Sequence, residues 1–85
     1  MKTWTIRLTS EAVKDARKLS PKLQRKLRNI LTEQIARDPT AGKRLVGDLA
    51  GFYSMRLTYQ DRIVYSLDER ARTVYVHRCR THYGD

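Results

Sequence analysis

Six residues near the end of the chain, Arg78 to Tyr83, hold two guanidinium groups, an imidazole and a phenol. Each type suits chemistry at phosphate. Guanidinium groups of Arg78 and Arg80 offer fixed charge and paired donors to phosphate oxygens. The imidazole of His82, with an ordinary pKa of about 6.5, can give or take a proton near neutrality. The phenol of Tyr83 can stack on a nucleobase or orient an attacking group, as RNA recognition often requires. Two more arginines, Arg56 and Arg62, precede this ending. Any one of these arginines is also what an exposed strand carries; their convergence on one sheet face is what would suit a phosphate. His77 reads as a strand residue rather than a catalyst. Cys79 reads as a small buried hydrophobe with no assigned reactivity.

These groups need elements to place them. Lys2 to Leu8 alternates Trp4, Ile6 and Leu8 with polar residues, the pattern of a half-buried strand. Thr9 and Ser10 are cap residues and Glu11 favours the first turn, so a short helix runs through Ala12, Val13, Ala16 and Leu19. Ser20-Pro21 starts a second helix, striped by Leu23, Leu27, Ile30, Leu31 and Ile35 and ended by Asp38-Pro39. Thr40 to Gly51 is a glycine-punctuated loop carrying Lys43, Arg44 and Asp48. Three strands follow, over 52–58, 62–67 and 72–79. Parity puts Tyr53, Met55 and Leu57 on one face and Arg56 on the other, with Arg62 and Arg78 or Arg80 near enough to join it. The reading is one α+β domain over residues 1–85, ordered β-α-α-β-β-β, with an N-terminal helical hairpin on a small curved antiparallel sheet.

Charge bears on partners rather than on fold. Eighteen Lys and Arg against nine Asp and Glu leave a formal net charge of +9 in 85 residues. Lys14, Arg17, Lys18, Lys22, Arg25, Lys26 and Arg28 crowd the helices, opposed there by Asp15 alone. Such a face can simply be solvated, but with the excess charge of the whole chain it suits a polyanion. No apolar run approaches the roughly 20 residues of a spanning helix, and the N-terminus has no signal-peptide apolar core. One cysteine makes no internal disulfide, and two histidines beside it make no zinc pattern. The expectation is a soluble cytoplasmic protein without metal or other cofactor.

The order of elements, Gly-Phe-Tyr-Ser-Met-Arg-Leu at 51–57, Asp-Arg-Ile-Val-Tyr at 61–65 and Cys-Arg-Thr-His-Tyr at 79–83 resemble the RelE/ParE superfamily of bacterial toxins. The ending is most similar to the YoeB branch. The resemblance covers nearly the whole chain. It implies the RelE-like microbial RNase fold and a type II toxin that cleaves messenger RNA in the ribosomal A site without metal. By match to the family motif, Arg62 would stabilise charge on the phosphate, with Arg56 also facing it. His82 would be the general acid and Tyr83 would hold the base or substrate. Lys43, Arg44, Arg80, Lys18, Lys22, Arg25 and Lys26 would contact RNA or the ribosome.

One residue departs from the pattern. YoeB-like members place a glutamate as general base where this chain has Lys43, and Lys43-Arg44 is more similar to the lysine-rich loop of RelE-like members. The base is left open between His82 itself, a lysine of lowered pKa at position 43, and no dedicated base. The resemblance implies an acidic, partly disordered antitoxin that folds over the basic surface and displaces the active tail. A ParE-like inhibitor of DNA gyrase that cleaves nothing is the alternative; that class has no need of a His-Tyr ending. A basic RNA-binding module without turnover is a third.

Overall fold

The computed structural model describes residues 3–80. Two helices cover one face of a five-stranded sheet of order β1-β5-β4-β3-β2. The strands are β1 (Thr5–Leu8), β2 (Lys43–Arg44), β3 (Phe52–Arg56), β4 (Arg62–Asp68) and β5 (Thr73–Arg78). The helices are α1 (Ser10–Arg17) and α2 (Pro21–Ile30), the latter continued by a π-helical turn over Leu31–Ile35. None of the described helices is long and apolar enough to cross a membrane.

Both helix starts follow from local chemistry. The Thr9 hydroxyl accepts the Ala12 N–H at 3.2 Å, and the Ser20 hydroxyl accepts the Leu23 N–H at 3.3 Å, with Pro21 in the first turn. Gln24 then ties the hairpin together. Its side-chain amide donates to the carbonyls of Ala16 and Leu19 at 3.0 and 3.1 Å, bridging the end of α1 to the start of α2.

The core is the apolar stripe of the helices set on one sheet face. Leu27, Ile30, Leu31 and Ile35 pack with Ala12 against Ile63, Tyr65, Val74 and Val76. The sheet is antiparallel from β2 through β5, as the alternation implied. It has two additions that the sequence did not disclose. The loop after α2 contributes the two-residue strand β2 at one edge. At the other edge β1 runs parallel to β5, pairing Thr5 with Thr73 and Leu8 with Val76. The helical hairpin carries the chain from β1 to the far edge, and three antiparallel steps bring β5 back beside β1 in the same direction.

Strand β5 is irregular where it matters for placing side chains. Val64 pairs with Arg78 while Tyr65 pairs with Val76, so His77 is an extra residue on the β5 side. A bulge of this kind re-aims its residue. The His77 ring meets the Ser66 hydroxyl at 2.8 Å and packs against Phe52, ring centres 4.9 Å apart. Burial holds its pKa below the ordinary histidine value.

Candidate functional site

The sheet face opposite the helices is organised by a directly facing pair. In the register of β3 and β4, Arg56 lies opposite Arg62 and Ser54 opposite Val64, and β2 adds Lys43 opposite Ser54. Facing residues share a side of the sheet with Cβ atoms about 5 Å apart. The parity expected from sequence therefore holds, and it gathers Arg56, Arg62 and Lys43 on one face.

Two guanidinium groups in that position repel one another. The salt bridges among the described residues are Arg37–Glu33 and Arg78–Asp15; Arg56 and Arg62 enter neither. A facing cationic pair can receive an anion, and the planar forks of arginine match phosphate oxygens two at a time.

The other expected cations go elsewhere. Arg78 does not join the pair. It donates to both Asp15 oxygens, from Nε at 2.9 Å and Nη2 at 3.3 Å. The same carboxylate accepts the Cys79 N–H at 3.1 Å. Asp15 itself corrects the sequence reading, which set it among the cations of the outer helix surface; it is buried. Burial opposes its charge, but the bonds from Arg78 and Cys79 and the nearby charges of Arg78 and Arg80 prevail and hold the carboxyl below its ordinary pKa. Arg80 is thus near Asp15, at the start of the tail. Lys18, Lys22, Arg25 and Lys26 are exposed on the helices, in the layer on the far side of the sheet from Arg56 and Arg62. Arg44 pairs with Tyr53, whose ring stacks on core Tyr65 at 5.5 Å, so β2 sends Lys43 and Arg44 to opposite faces. His82 and Tyr83 lie outside the described residues. Cys79 is buried, and burial pushes its thiol up to about 12, in keeping with a packing role.

Lys43 is positioned from the core. The buried Tyr65 hydroxyl donates to the Pro39 carbonyl at 2.6 Å. A Cβ at Gly42 would strike that hydroxyl and lie 2.9 Å from the Ser54 carbonyl oxygen, so only glycine lets the loop pass into β2. Tyr65→Phe leaves a buried carbonyl without its donor, a loss of about 1–3 kcal/mol. Chemical denaturation should show the unfolding free energy falling by that amount, with a lower midpoint; an unchanged midpoint would rule out this anchor.

A second feature lies on the helical side. A groove of about 370 Å³ between β1 and the two helices is floored by Ile6, Leu8, Val13, Ala16, Leu27 and Leu31 and rimmed by Arg17, Gln24, Arg28 and Thr32.

The sequence and the fold have known relatives. The sequence model of one family, described as ParE-like toxin of type II bacterial toxin–antitoxin system, matches residues 6–84. No curated protein matches the sequence significantly. Among solved structures, a chain of the toxin–antitoxin complex RelBE2 from Mycobacterium tuberculosis is similar at 30% identity and TM-score 0.85, over 94% of this chain and 99% of that one. The YoeB/ParE toxin from Agrobacterium tumefaciens is similar at 27% identity and TM-score 0.82, over 93% and 99%. A chain of the E. coli RelBE complex, at 22% identity and TM-score 0.76 over 94% and 98%, shares the fold.

Proposed function

The chain belongs to the ParE-like toxins of type II bacterial toxin–antitoxin systems, within the RelE/ParE superfamily and close to its YoeB and RelE branches, and from that membership we propose that it is a ribosome-dependent endoribonuclease. The observation that carries the proposal is the facing Arg56–Arg62 pair, in no salt bridge among the described residues, with Lys43 on the same sheet face. In the reaction the ribose 2′-hydroxyl gives its proton to His82, to Lys43 or to water and attacks the adjacent phosphorus. The bond to the 5′-oxygen breaks, that oxygen leaves protonated, and a 2′,3′-cyclic phosphate remains. Arg62 and Arg56 hold the phosphate and stabilise the charge that grows on its oxygens. His82 protonates the leaving oxygen and Tyr83 holds the substrate at the point of cleavage. Lys43 stands where YoeB-like members have a glutamate, so positioning on the ribosome and electrostatics carry a larger share of the rate.

The partner is an antitoxin. Its acidic residues suit the exposed cations of α1 and α2, and an amphipathic segment of it suits the apolar groove rimmed by Arg17 and Arg28. Isolation from cells without a tight acidic partner encoded beside it would argue against this.

The deciding experiment adds purified protein to a translating bacterial lysate and maps message 5′ ends, with the His82→Ala/Tyr83→Ala variant alongside. Cuts clustered at A-site codons and lost in the variant are expected. The second reading, a gyrase inhibitor, has the description of the matching family in its favour. Intact message together with broken DNA in a gyrase assay would establish that reading instead.

A further inference from the structure

We propose that Tyr59 is a nucleobase-stacking contact, held out from the tip of the β3–β4 hairpin to grip an unpaired RNA base beside the phosphate that Arg56 and Arg62 receive. The inference rests on the nuclease reading and adds a substrate-positioning residue to it.

The turn that carries Tyr59 is closed by its own hydrogen bonds. The backbone N–H groups of Leu57 and Thr58 both donate to the Asp61 carbonyl, at 2.8 and 3.1 Å. The Thr58 hydroxyl donates to the Asp61 carboxylate at 3.0 Å and accepts the N–H groups of Gln60 and Asp61 at 3.1 and 2.8 Å. Beneath the turn, Leu57 is buried and fastens its base to the core. Against this fixed frame the Tyr59 side chain is 89% exposed. By contrast, the rings of Tyr53 and Tyr65 are stacked together and the Tyr65 hydroxyl is bonded.

An isolated exposed apolar residue is ordinary. This one differs in its place and in its frame. Tyr59 is midway in sequence between Arg56 and Arg62, which face each other at the hairpin end from which the turn projects. An exposed aromatic ring on the turn that joins a cationic pair is a combination that binds single-stranded nucleic acid, the cations taking backbone phosphate and the ring taking a base. Because the turn is closed by its own hydrogen bonds, little backbone ordering is added on binding. A ring so exposed does no packing work, so its removal should leave stability alone.

The base has two possible sources with the same chemistry, the codon in the A site and an unpaired base of ribosomal RNA. The test measures A-site cleavage kinetics for wild type, Tyr59→Ala, Tyr59→Leu and Tyr59→Trp on programmed ribosomes carrying several codons. Stacking predicts KM higher by about 5- to 100-fold for alanine, a similar rise for leucine, recovery by tryptophan, and little change in kcat. The thermal midpoint should stay that of wild type. A loss that varies with the codon base, and vanishes when that nucleotide is abasic, assigns the ring to the message; a uniform loss assigns it to the ribosome. Wild-type KM in Tyr59→Ala, or recovery by leucine, overturns the proposal while cleavage by wild type keeps the nuclease reading intact. Wild type that neither binds programmed ribosomes nor cuts overturns both.

Discussion

Arg62→Ala should slow cleavage of ribosome-held message by about 10²- to 10³-fold, the effect of removing one preorganised donor from a developing oxyanion, and should do so without lowering stability. The second half is the diagnostic part. Arg62 faces Arg56 across β3 and β4, and neither is in a salt bridge among the described residues. Like charges directly opposite on a sheet destabilise it by a few tenths to about 1 kcal/mol, so removing one should relieve the fold. Arg62→Met keeps the aliphatic stem that a half-buried arginine packs and separates the loss of charge from the loss of contact. Arg62→Lys restores charge but not the two-pronged donor geometry, and should recover only part of the rate. Single-turnover cleavage read together with the denaturation midpoint checks all three. Activity near wild type in Arg62→Met, or a rate loss that merely follows a falling midpoint, would remove the arginine pair from the chemistry.

The pair was legible in the sequence because strand parity is a local property. Alternation over 52–58 and 62–67 fixes which residues share a face, and a short turn leaves few registers open. Helix starts were legible for the same reason: Thr9 and the Ser20-Pro21 step act on N–H groups only a few residues away. What escaped is long-range or very short. The β1–β5 pairing joins residues 68 apart in sequence, such as Thr5 and Thr73, and no local pattern encodes its direction. Two residues of β2 are too few to show alternation. Strand parity also set Arg56 on the face away from the helices, and the sheet does lie between the helical cations and the arginine pair.

Asp15 was misplaced for a more instructive reason. Its neighbours in sequence are basic, and that suggested the outer surface. Its spacing says otherwise: Ala12, Asp15, Ala16 and Leu19 follow the three- and four-residue steps of an apolar helical stripe. An acid on that stripe must find partners or forfeit its charge. The partners, Arg78 and the Cys79 N–H, lie 63 and 64 residues away, which only the fold could reveal.

Removing that carboxylate should have the largest effect on stability of any single change considered. Asp15→Ala strands Arg78 and leaves the buried Cys79 N–H without an acceptor. Breaking a buried pair by deleting one partner costs about 3–5 kcal/mol. The Arg78 side chain is one-third exposed and can turn to water, so the lower end of that range is expected. A double-mutant cycle with Arg78→Met should return a coupling well above the few tenths found for exposed pairs. The pH dependence follows from the direction of the shift. In the folded chain Asp15 titrates below 3.8, the value it takes when unfolded, so below that pH the unfolded chain binds the extra proton. The contribution of Asp15 is therefore complete above pH 3.8 and is lost as pH falls through the lower folded value. Asp15→Asn should flatten this acid limb. Function should suffer as well, because Asp15 fixes the end of β5 through residues 78 and 79, immediately before Arg80 and the His82-Tyr83 ending. At a temperature where Asp15→Asn is still fully folded, kcat should fall while KM stays near wild type. Unaltered kcat under those conditions would confine Asp15 to holding the fold and release it from positioning the tail.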